Sequence, residues 1–190
     1  MDLTNCAGAS NVVYKGRDSG RVVAGDWDQD IKPLLKISKV AYSVKKWTTD
    51  STWEQVGAYD YMMQMISKYG EYDGCFTLED VSKRYQNLDR VFKIVSDQNR
   101  ISPTSEYRVG GFGEVGGMMF HVASNGAPLF GLAGHHRLAM AIALKISYVP
   151  AVIGVVHPKG LSALSDLRCE KFQSQVTQND REQPLLSGQI

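Results

Sequence analysis

The sequence predicts an α+β domain, a small mixed sheet with packed helices and a helical insertion, and three observations carry that expectation. Over residues 118–157, β-formers, a hairpin dipeptide, a glycine turn, a helical period and a second apolar strand follow one another. Over residues 31–100, apolar side chains recur at helical spacing. Finally, 190 residues with 43% hydrophobic and 22% charged side chains are enough to bury one core, so a single domain over residues 21–165 is expected.

Taken in order, residues 1–20 are polar and rich in Gly, Ser and Asn, and they read as a flexible N-terminal segment. Arg21-Val22-Val23-Ala24 gives a short strand that runs into Gly25-Asp26-Trp27-Asp28. Two acids flanking a tryptophan allow two readings. In one, Asp26 or Asp28 serves a site as a base or as a contact to a metal–nucleotide complex. In the other, Trp27 plugs a core and the acids cap a helix that begins near Ile31. The cap is favoured for Asp28, and Asp26 stays open.

Residues 31–100 form the expected helical cap. Leu35, Ile37, Val40, Ala41 and Val44 mark a helix over residues 36–47. Ser51-Thr52-Trp53-Glu54 has the form of a capping box, with the stripe Trp53, Val56, Tyr59, Met63, Ile66 behind it and Gly70 at its end. Thr77-Leu78-Glu79-Asp80 opens a further helix with Val81, Tyr85, Leu88, Val91, Phe92 and Val95 on one face, and Ser102-Pro103 closes the region. These stripes read as core rather than as a cofactor box; Lys36, Lys39, Lys45 and Lys46 could touch a substrate's phosphates, but a solvated basic face is favoured. Residues 110–117 contain G-x-G-x-x-G at Gly111, Gly113 and Gly116. They lead into a strand and lack the G-K-[ST] ending, so neither a Rossmann turn nor a P-loop is read there. A loop over the site and a plain connector are both open.

The expected core spans residues 112–157. An apolar run from Met118 meets Asn125-Gly126, the dipeptide of tight hairpins, and a second strand covers residues 128–132. After Ala133-Gly134 the helical period begins at His136, with Leu138, Ala141, Ile142 and Lys145, and residues 148–153 read as a buried strand. A short helix is expected over residues 161–167, and the polar, Gln-rich residues 170–190 read as a disordered tail. Helix starts carry unpaired N–H groups and normally favour acids, yet here Gly134-His135-His136-Arg137 stands at one. An anion such as phosphate fits that turn, with Arg137 supplying paired donors and a histidine another. The alternative is a helix start whose cations pair with acids elsewhere.

These residues also resemble a known family. The pattern x-G-H-H-R-L after a strand, an Ala-rich helix and Val149-Pro150-Ala151-Val152-Ile153 are similar to the ParB/sulfiredoxin superfamily over roughly residues 114–157. The Gly25-Asp26-Trp27-Asp28 segment and the Trp53-Glu54 pair extend the likeness over most of residues 22–157, to an uncharacterised ParB-like subgroup associated with surface-polysaccharide gene sets. The resemblance implies a nucleotide ligand (ATP, ADP or CTP, with Mg2+) whose phosphates meet Gly134, His135, His136 and Arg137. It also implies a small-molecule or glycan substrate. Superfamily kinases and nucleases place a functional glutamate in a comparable region, which makes Glu114 a candidate base or metal contact beside Asp26 and Asp28.

Weighed together, the reading leans to an ATP- or ADP-dependent phosphotransferase (kinase) acting on a small molecule or sugar. The turn is similar to the D-G-H-H-R of free-serine kinases but has Ala133 where that group has aspartate, which equally supports a non-catalytic nucleotide-binding regulatory module. A ParB-like DNA-binding CTPase or nuclease is disfavoured by a net charge of +1 and by the lack of a helix-turn-helix pattern after the core. Sulfiredoxin-type repair needs a cysteine where His135 stands. A metal enzyme built on His121, His135, His136 and His157 lacks a shared helix face. No apolar run reaches membrane-spanning length, and Met1-Asp2-Leu3-Thr4 does not open a signal peptide. Cys6, Cys75 and Cys169 are odd in number and scattered, as expected in a reducing cytoplasm.

Overall fold

The computed structural model describes residues 7–9, 14–106 and 117–164. Within them the chain is α+β. Strands β1 (Ala7–Ala9) and β2 (Ile31–Pro33) precede three helices, α1 (Ser38–Thr48), α2 (Ala58–Tyr69) and α3 (Leu78–Gln98). Then come β3 (Met118–Val122), β4 (Pro128–Phe130), α4 (His135–Ala143) and β5 (Ala151–Val156). The five strands form one mixed sheet in the order β2-β1-β4-β3-β5. β1 runs antiparallel to β2 and parallel to β4, while β3 runs antiparallel to β4 and parallel to β5. Among the described residues no helix is long and apolar enough to cross a membrane.

Two apolar clusters hold these elements, and α1 serves both. Met118 and Phe130 of the sheet pack with Val40 of α1, Val95 of α3 and Leu138, Met140 and Ile142 of α4. Tyr42, two residues after Val40, belongs instead to a cluster with Trp53, Ala58, Met62, Ile66, Val81 and Tyr85. Each large side chain so buried contributes about 1.5–3 kcal/mol, so the cap has a core of its own. Two indoles close it: Trp47 and Trp53 both donate to the Asp89 carboxylate, at 3.0 and 2.9 Å.

On the opposite face of the sheet, Tyr14 and Trp27 pack edge-on against His121 of β3. The β3–β5 ladder shifts register here, pairing Phe120 with Ile153 but Val122 with Val156. Gly154 and Val155 therefore stand opposite His121 alone, a β-bulge that leaves the Val155 N–H without a ladder partner. His121 Nδ1 accepts that N–H at 3.0 Å. The neutral ring consequently carries its proton on Nε2. A side chain at Gly154 would collide with Nδ1, and a Cβ at Gly131 would lie 2.7 Å from Nε2.

Several expectations shift. β1 lies within the segment read as loop, because pairing on both sides replaces the missing local signal. Residues 21–24 form only an isolated bridge, Val22 with Val156, with Val22 52% exposed. Residues 31–33 are strand β2 rather than the start of a helix or part of the cap, and α1 begins at Ser38. The capping pair is Thr52 with Gln55 rather than Ser51 with Glu54, and it closes a turn ahead of α2. The last strand sits three residues later than expected because residues 148–150 precede it; its first half is open, with Ile153 47% exposed. Confirmed are the Asn125-Gly126 hairpin, the helix opened by Thr77–Asp80, which has a capping box, and the core role of most of the stripes, although Leu35 and Val91 are exposed. Residues 161–164 are helical. The remaining residues of that expected helix, the 170–190 tail and most of the glycine-rich approach lie outside the described residues.

Gly154→Ala is expected to lower unfolding free energy by about 1–3 kcal/mol through overpacking against His121. Gly16→Ala, where an added Cβ meets nothing within 4 Å, should stay within about 0.5 kcal/mol of the parent. Urea denaturation of both variants checks this.

Candidate functional site

The site grows from the β4–α4 turn. Leu132 and Gly134 both take left-handed backbone, with φ of 62° and 78°. For leucine this costs on the order of 1–3 kcal/mol. At Gly134 a Cβ would also stand 2.7 Å from Met118 Cγ and 2.9 Å from its N and Cα, so only glycine fits. Gly134 is the N-cap of α4 and offers no side-chain cap, and the first turn holds no acid. The helix therefore starts with its N–H groups and partial positive charge uncompensated by its own sequence.

Both histidines turn inward from that start. His135 packs edge-on against Phe130, and burial, helped by the positive charge of Lys39, pushes its pKa down to about 4. His136 packs edge-on against Tyr85 of α3. Burial, with the charges of Arg84 and Lys39, pushes its pKa down to about 3. The His136 Nε2 is buried with no hydrogen-bond partner.

The cap meets this turn with three charged groups. Lys39 Nζ lies 2.6 Å from Asp73 Oδ2 and 4.2 Å from the centre of the Tyr72 ring. Arg84 donates to the Asp73 carbonyl at 3.1 Å and approaches its carboxylate at 3.4 Å, while its Nε is buried without a partner. Burial of Asp73 opposes its ionisation, but the hydrogen bond from Lys39 and the charges of Lys39 and Arg84 outweigh it and hold the carboxyl below its usual range. Two cations thus face one carboxylate. The surplus is one positive charge, with two buried polar atoms left unserved.

The other expected site residues lie apart. Arg137 reaches the Ser102 carbonyl at 2.6 Å and Thr104 Oγ1 at 3.2 Å, holding that segment against α4. It also walls an apolar groove of about 450 Å³ with Val91, Ile94, Ile101 and Met140. Asp28 does not cap a helix; its carboxylate accepts the Ser124 N–H at 2.7 Å and Gln29 Nε2 at 2.9 Å. Burial works against that charge, but these hydrogen bonds prevail and bring its pKa down to about 2. Asp26 is exposed beside it. Since Gly134 abuts the first residue of β3 and Ser124 lies two residues past its last, Asp28 is roughly 15–20 Å from the turn at strand rise. Glu114 lies outside the described residues.

Asp73 and Arg84 carry no site signal in the sequence, and for Lys39 a solvated face is favoured there over a phosphate contact. Lys39, expected on a solvated face, is 8% exposed. Its spacing from Tyr42 and Ser43, three and four residues on, is the signal that it shares the inward face of α1. Asp73-Gly74 is a turn dipeptide, and Asp73 takes a φ of 54°. The chain matches no protein-family model, no curated protein and no solved structure.

The folded state keeps His135 and His136 neutral, whereas an unfolded histidine protonates near pH 6.5. Their contribution is therefore complete above about pH 6.5 and is lost as the pH falls towards their folded values. Between pH 7 and 4.5 the urea-derived stability should drop by on the order of 5 kcal/mol, about half from each histidine. A His135→Asn, His136→Gln variant should show a flatter profile over that window.

Proposed function

We propose that this protein is a nucleotide-binding module that receives the phosphates of its ligand at the start of α4. The observation that carries the reading is the pair of buried, unserved polar atoms, His136 Nε2 and Arg84 Nε, beside an uncapped helix N-terminus with surplus positive charge. Such atoms cost about 1–3 kcal/mol each when left unpaired. An anionic oxygen accepts from the helix N–H groups and from the Arg84 and His136 donors alike. The resemblance to the ParB/sulfiredoxin superfamily supplies the nucleotide as ligand class.

Among the described residues, the placement of the carboxylates favours binding over phosphotransfer. Asp73, the acid at the turn, is neutralised by Lys39 and Arg84, and Asp28 is committed to Ser124 far along β3. Neither is arranged as a base for a hydroxyl at the turn. Among the described residues no three His, Cys, Asp or Glu side chains converge as metal ligands. A Mg2+ arriving with a nucleotide would be held chiefly by the phosphates themselves.

Calorimetric titration with ATP, ADP and CTP tests the proposal. Saturable binding is expected for at least one, weakened about tenfold by Arg84→Gln with the far-ultraviolet dichroism unchanged. Absence of binding to all three at millimolar concentration sinks the reading. Transfer of a phosphoryl group to a metabolite or sugar in the presence of Mg2+ would replace binding by phosphotransfer.

A further inference from the structure

A second cavity, of about 310 Å³, opens on the other side of the same turn, lined by Tyr14, Lys15, Gly16, Met119, Leu132 and Ala133 among others. Its position follows from the chain path. Leu132 and Ala133 form part of its wall and are also the residues that lead into Gly134. The cavity and the start of α4 therefore share one turn of chain.

The lining says what kind of group. Met119, Leu132 and Ala133 are apolar, Tyr14 adds an aromatic ring, and Lys15 is an exposed cation. Tyr14 is already fixed by edge contacts to Trp27 and His121, with ring centres 6.0 and 5.7 Å away, so little side-chain freedom remains to be lost on binding. The strained backbone of Leu132 forms part of the same wall, and strain of that kind persists where the surroundings over-determine it, commonly at ligand sites. The volume falls at the small end of ligand pockets, roughly 300–1,000 Å³.

We propose that this cavity takes the nucleoside portion of the ligand, its base against Tyr14, with Lys15 at the rim meeting the phosphates that continue to α4. The inference rests on the reading of the turn as a nucleotide phosphate site and adds to it the recognition of the base. Stacking on an aromatic side chain is worth about tenfold in affinity or more.

Calorimetry with ADP and with inorganic pyrophosphate separates the two ideas. The parent protein should bind ADP at least about tenfold more tightly than pyrophosphate. Tyr14→Leu should bring ADP down to the pyrophosphate level while leaving pyrophosphate affinity as it was. Ala133→Leu, which fills the cavity without deleting a wall, should do the same and decides the matter if Tyr14→Leu fails to fold. Equal affinity for both ligands in the parent overturns the nucleoside cavity and leaves the phosphate site standing. So does ADP affinity that survives Ala133→Leu. If neither ligand binds, the phosphate reading falls and takes the nucleoside cavity with it.

Discussion

Gly134 lies with its α-carbon against the backbone of Met118, closer than any side chain allows. That approach lets β4 turn directly into α4 and lays the helix against the sheet, burying Leu138 through Ile142 beside Met118 and Phe130. It also sets where α4 begins, and hence where its uncapped N–H groups and paired histidines stand. Packing and the candidate site thus depend on one steric condition at one residue. The strained Leu132 just before it is the conformational cost of so abrupt a turn.

The cap joins the sheet domain through α1, which shares its residues between two clusters, and through the Lys39–Asp73 pair. An ion pair this sheltered adds little net stability against an apolar alternative, but removing one partner leaves the other stranded. Its effect is geometric: it fixes residues 71–75 over the start of α4 and brings Arg84 with them. The Tyr42–Tyr85 hydroxyl contact at 2.7 Å runs alongside, linking α1 to α3 under the same turn.

The legible parts were those written locally. Asn125-Gly126, Thr77 with Asp80 and the period of α4 each carry their own signal within a few residues, and the structure follows them. β1 carries none, since Ala-Gly-Ala is held only by its two neighbours in the sheet. The cluster at the turn was half legible for the same reason. The histidines were visible as an unusual helix start, whereas Lys39, Asp73 and Arg84 come from three separate elements, and only packing assembles them. Asp28 shows the converse, an acid conspicuous in sequence whose carboxylate completes a turn.

His121 occupies an unusual place in the sheet, because its ring takes the place of a backbone carbonyl in accepting the Val155 N–H. The bulge exists to admit it, and Gly131 and Gly154 are bare to leave it room. Positions 121, 131 and 154, in β3, just past β4 and in β5, are therefore sterically one unit. A lineage that exchanged the histidine for a small residue would be released from both glycines and from the extra residue in β5.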